Sequence, residues 1–119
     1  MKINFVDKVH PVLSTRLTVA GHTCEDLSER NGKELLEQLH DSEGLVVRSR
    51  VMLDEKVLKH APKLRFIARA GAGMENIDRA YCKSRGIKLY NSPEGNRDAV
   101  GEHALGMLLA LMNNFTKAD

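Results

Sequence analysis

Arg48, Ser49, the loop Gly71-Ala72-Gly73, Asn76, Asn96 and the adjacent Glu102 and His103 are the residues of this chain whose types and spacing suit chemistry. Phe66-Ile67-Ala68 is a short apolar run that stops just before Gly71-Ala72-Gly73. There the missing side chains let the backbone turn and expose its N–H groups. Those amides lie near the start of the helix expected to follow, where an anion is favoured. Arg48 and Ser49 follow a second apolar run, Gly44-Leu45-Val46-Val47. The planar guanidinium of an arginine at such a strand end suits a carboxylate or a phosphate. The residues therefore propose a small acidic ligand before they propose a catalyst. Glu102 and His103 suggest an acid–base pair by type, but neighbours on a helix do not face each other, so they are assigned to packing or polar contacts.

Each feature has a plainer alternative. Gly71 and Gly73 can simply make a tight turn, and Arg48 can be solvated or ion-paired. Asn76 can brace the loop through side-chain to backbone hydrogen bonds. Asn96 stands in a turn whose own chemistry accounts for it. His10, His22, His40 and His60 fall in expected loops or helix ends without metal-ligand spacing, and no metal site is expected. The order Gly71-x-Gly73-x-x-Asn76 also looks like a dinucleotide fingerprint. It fails because Asn76 replaces the third glycine and the strand Lys88-Leu89-Tyr90-Asn91 does not end in the acidic residue that would hold a ribose.

Short apolar or β-branched runs alternating with helical patterns must position these residues, and that alternation signals a βαβ sheet. Strands are expected at Ile3–Val6, Thr23–Asp26, Leu45–Val47, Arg65–Ala68 and Lys88–Tyr90. Pro11 starts a helix that runs to about Ala20 before Gly21. Asn31 with Glu34 forms a capping pair for Leu35–Leu39. Asp54 caps Glu55–His60 ahead of Pro62, and Asp78 caps Arg79–Ser84, closed by Gly86. The expected fold is α/β, a flavodoxin-like doubly wound parallel sheet of about five strands with ligands at the carboxyl ends of its strands. Arg48 and Gly71–Gly73 both fall at that end.

In the segment Ala99–Asn113, Val100, Ala104, Leu105, Met107, Leu108, Leu109, Leu111 and Met112 leave hardly any polar face, so that helix must be buried on most sides. It is short of the about 20 apolar residues of a membrane span. A chain of 119 residues with 42% hydrophobic and 29% charged residues has the make-up of one soluble globular domain. A net charge of +2, with no basic run interleaved with aromatics, argues against a nucleic-acid partner. Met1–Val6 is too short an apolar opening for a signal core. Cys24 and Cys82 are unclustered thiols, so a reduced cytoplasmic protein is expected.

The run Ala70-Gly71-Ala72-Gly73-Met74-Glu75-Asn76-Ile77-Asp78, then Gly86-Ile87, Asn91-Ser92-Pro93, Asn96 and Val100-Gly101-Glu102-His103, resembles the substrate domain of the D-2-hydroxyacid dehydrogenases. The phosphoglycerate dehydrogenase branch is the nearest in character, and Arg48-Ser49-Arg50, after the apolar strand Gly44-Leu45-Val46-Val47, resembles its substrate-binding corner. The resemblance covers roughly residues 41 to 113, and several motifs in the right order make it more specific than one glycine loop. It implies an NAD-dependent oxidoreductase acting on the CH–OH group of a small D-2-hydroxy acid such as 3-phosphoglycerate. Arg48, Ser49, Gly71, Ala72, Gly73, Asn76 and Asn96 are then the substrate-binding candidates, with the loop on the substrate carboxylate and Arg48, Ser49 and Asn96 on its distal part.

This sequence departs from the family pattern in length. Family enzymes insert a Rossmann domain after the long helix that here begins near Arg97, and no complete G-x-G-x-x-G occurs in the chain. The catalytic Arg, Glu and His of the family have no positions to map onto. The expectation is therefore a fragment, truncated before the inserted domain. Residues 1–98 form the substrate-binding domain and residues 99–119 an interdomain helix with the start of a linker. NAD is bound by the missing domain, the chain alone is inactive, and it forms a homodimer or associates with itself through the helix 99–113. The alternative from another class is a stand-alone, non-catalytic anion-binding or regulatory flavodoxin-like module.

Overall fold

The computed structural model describes residues 1–8, 11–48, 50–69 and 75–91. The expected helix Ala99–Asn113, with its proposed self-association, lies outside the described residues, as do Ser49, Gly71–Gly73 and Asn96. The described elements alternate without exception: β1 (Lys2–Phe5), α1 (Pro11–Val19), β2 (Thr23–Asp26), α2 (Gly32–Glu37), β3 (Gly44–Val47), α3 (Glu55–Leu58), β4 (Phe66–Arg69), α4 (Arg79–Ser84) and β5 (Lys88–Asn91). The five strands are all parallel, in the order β2-β1-β3-β4-β5. The expected flavodoxin-like parallel sheet of about five strands is thus what forms, and its order is that of the flavodoxin-like fold.

Helices on both faces explain why β3 is buried at every position and reads as an unbroken apolar run. Alternate residues of the strands serve opposite faces. Ile3, Phe5, Val46, Phe66 and Ala68 pack with Leu13 and Leu17 of α1 on one side. Leu45, Val47 and Ile67 pack with Leu35 of α2, Leu58 of α3 and Cys82 of α4 on the other. Each large apolar side chain buried this way contributes about 1.5–3 kcal/mol before conformational entropy is set against it. Gly44 is required by contact rather than by dihedral angle, since a Cβ there would lie 2.3 Å from Cζ of Phe66, its register partner on β4.

The helix starts follow their aspartates. Asp54 accepts a hydrogen bond from the Val57 N–H at 3.2 Å and Asp78 from the Tyr81 N–H at 3.0 Å, and α4 is followed by Gly86 at φ +72°. The expected Asn31–Glu34 capping pair does not form. Asn31 has the extended backbone of a cap but makes no capping bond, because its Oδ1 accepts from Arg50 Nη1 at 2.9 Å. Glu34 pairs with Arg30 instead. Helix α2 starts at Gly32, ahead of the expected Leu35, and ends at Glu37, short of the expected Leu39; α3 ends at Leu58, short of the expected His60.

Candidate functional site

Parallel strands deliver their last residues to one edge of the sheet, and ligands of α/β sheets bind in the crevice outside that edge. Here β1 leads into Val6 and Asp7, β3 into Arg48, and β4 ends at Arg69. Asp7 is only 7% exposed; its Oδ2 accepts from the Arg48 backbone N–H, and its Oδ1 lies 3.6 Å from Arg50 Nε. Arg50 also donates from Nε and Nη2 to the Val6 carbonyl at 3.1 and 2.8 Å, and from Nη2 to the Leu27 carbonyl at 3.2 Å. With Nη1 on Asn31, its guanidinium is committed to holding the exits of β1, β2 and β3 together.

Asn76 does the same for the other half of the corner. It is 9% exposed, and its Nδ2 donates to the carbonyls of Arg48 and Val51, both at 2.9 Å. Its Oδ1 accepts from Arg69 Nε at 2.9 Å. Two carbonyls on one side and an N–H on the other leave a single orientation of the amide that satisfies all three bonds. The backbone continues the tie: the Leu53 N–H donates to the Asn76 carbonyl at 2.7 Å and the Asp78 N–H to the Leu53 carbonyl at 2.9 Å, closing a parallel bridge between Leu53 and Ile77.

Two cations remain available at this corner. Arg48 is exposed and its guanidinium has no hydrogen bond or ion pair to a described residue. Arg69 is half-buried, and beyond Nε on Asn76 its guanidinium bonds to no described residue. Asp7 lies beside Arg50. The planar forks of Arg48 and Arg69 suit a carboxylate or phosphate. Two clefts flank the corner: one of about 380 Å³ is lined by Asp7, Lys8, Ser14 and Asp26, and one of about 500 Å³ by Leu35, Arg50, Met52 and Val57. Neither is lined by Arg48, Arg69 or Asn76, although Asp7 and Arg50, which border the corner, line one cleft each.

Of the residues singled out in the sequence, Arg48 and Asn76 meet here through a direct hydrogen bond. The candidates Ser49, Gly71, Ala72, Gly73 and Asn96 fall outside the described residues. Sequence reasoning missed Arg69, although a charge closing an apolar strand is the same signal that marked Arg48. Asp7 gave no local signal, since its partner Arg48 is 41 positions away. No cluster of three or more His, Cys, Asp or Glu residues fit for a metal ion occurs among the described residues. Among them, too, no helix is long and apolar enough to cross a membrane.

Residues 3–117 match the model of the D-isomer specific 2-hydroxyacid dehydrogenase catalytic domain. The D-3-phosphoglycerate dehydrogenase of Mycobacterium leprae (strain TN) is 40% identical over 86 residues, 72% of this chain and 16% of that protein. The Sus scrofa D-3-phosphoglycerate dehydrogenase is 32% identical over 117 residues, 98% of this chain and 22% of that protein. The chain thus spans about a fifth or less of these two relatives. The NAD⁺-bound 3-phosphoglycerate dehydrogenase of Entamoeba histolytica has a similar structure, with a TM-score of 0.72 and 33% identity over 91% of this chain and 38% of that one. The apo D-lactate dehydrogenase of Escherichia coli, at 23% identity and a TM-score of 0.68 over 99% of this chain and 39% of that one, shares the fold.

Proposed function

The chain belongs to the D-isomer specific 2-hydroxyacid dehydrogenase family, in its catalytic domain, and from that membership we propose that it is the substrate-binding part of an NAD-dependent oxidoreductase acting on the CH–OH group of a small D-2-hydroxy acid. The proposed substrate is 3-phosphoglycerate, a ligand with two anionic groups. The observation that supports this reading is that two guanidinium groups at the carboxyl ends of neighbouring strands, Arg48 and Arg69, keep their terminal nitrogens free of bonds to described residues. In this reading Ser49, Asn96 and the amides of Gly71–Gly73 complete the anion seat, residues 1–98 form the binding domain, and residues 99–119 lead toward the cofactor domain. The setting is cytoplasmic.

The described residues do not fit a dinucleotide. Asn76 occupies the place of a third fingerprint glycine with a fully engaged side chain, and β5 ends in Asn91 without a carboxylate for a ribose. The chain's own part in the reaction is therefore to bind and orient the acid, with NAD and the acid–base group held by the remainder of the enzyme. Titration of 3-phosphoglycerate into the chain, followed by NMR, tests the reading. Arg48 and Arg69 side-chain resonances should shift while NADH leaves the spectrum unchanged. Unmoved arginine signals at high ligand concentration would refute the substrate site, and saturable NADH binding would refute the division of labour.

A further inference from the structure

The side chain of Asn76 joins three segments: the exit of β3 through the Arg48 and Val51 carbonyls, the end of β4 through Arg69 Nε, and its own turn ahead of α4. A guanidinium on a flexible stem loses rotamer entropy when it binds an anion, and a partner that already holds one nitrogen removes part of that cost. The hydrogen bond to Nε does this while leaving the two terminal nitrogens of Arg69 as the fork that an oxyanion accepts. We propose that Asn76 is a positioning residue for anion recognition: it touches no ligand, and it sets Arg69 in the geometry that a phosphate or carboxylate meets. This inference rests on the substrate reading above.

The test is a double-mutant cycle on the 119-residue chain with 3-phosphoglycerate as the probe. Asn76→Ala and Arg69→Ala should each weaken binding about ten-fold, and the double variant should bind no more weakly than Arg69→Ala alone. Ile77→Val, which loosens packing beneath the same bridge without touching either arginine, should leave affinity unchanged. Additive losses in the double variant, or an equal loss in Ile77→Val, would overturn the positioning role and leave the substrate reading standing. A wild-type chain that binds no 3-phosphoglycerate fails that reading and takes the inference with it. Should Asn76→Ala not fold, the Arg69 Nε–Hε order in the wild-type chain decides: a rigid signal is expected, and a flexible one overturns the inference.

Discussion

His22 precedes β2, and burial of its imidazole pushes its pKa below the ordinary 6.5. The folded chain then binds a proton less readily than the unfolded chain, so stability falls as pH drops below 6.5 toward the folded value. Thermal unfolding at mildly acidic and neutral pH should show this loss, and His22→Gln should abolish the part that belongs to the imidazole. Burial also raises the pKa of both thiols, Cys24 and Cys82. Neither should react quickly with iodoacetamide at neutral pH, since the thiolate is the nucleophile. Mass spectrometry of the native chain reads that outcome directly, and rapid modification of Cys82 would contradict its burial. At the candidate site, Arg48 and Asn76 were legible as residues because their signals are local: a charge ending an apolar run and a polar residue after a glycine loop. Asp7 was not, because its role exists only once β1 and β3 are paired.

The strand β3 and its neighbours make the sharpest test among the elements. Gly44→Ala would drive a methyl into the fully buried Phe66 ring. A loss of about 1–3 kcal/mol is expected from such overpacking, measured by denaturant unfolding. Polar bonds add to the apolar packing between α3 and α4. Arg85 donates from Nη1 to the Leu58 carbonyl at 2.7 Å and from Nη2 to the Ala61 carbonyl at 2.8 Å, and lies 5.5 Å from the Tyr81 ring centroid. Arg85→Ala should cost about 1–3 kcal/mol because it leaves two helix-end carbonyls without their charged donor. Arg85→Lys should recover only part, since an ammonium lacks the fork. Strand positions were legible because alternation and apolar runs record burial directly, and the Asp54 and Asp78 caps because each acts within three residues. The Asn31 cap failed for a nonlocal reason, as Arg50 arrives from 19 residues away to take its acceptor.

For the molecule as a whole, the functional reading predicts a chain that binds acids without turning them over. No NADH-dependent reduction of 3-phosphohydroxypyruvate should appear, and turnover copurifying with the chain would contradict the reading. The apolar run 99–113 leads to the expectation of self-association, which sedimentation of the wild-type chain beside a Leu108→Lys, Met112→Lys variant would reveal. A wild-type chain already monomeric at high concentration would refute it. The sheet order carries a different consequence. β1, first in the chain, is an interior strand, flanked by β2 and by β3, with Ile3 in register with Cys24 on one side and Gly44 on the other. During synthesis β1 can pair early with β2, but its other edge stays open until Gly44–Val47 has left the ribosome. A growing chain paused before that point leaves unpaired backbone N–H and C=O groups and uncovered apolar faces at the centre of the future sheet, so arrested nascent chains of this length should recruit a holding chaperone that longer ones release.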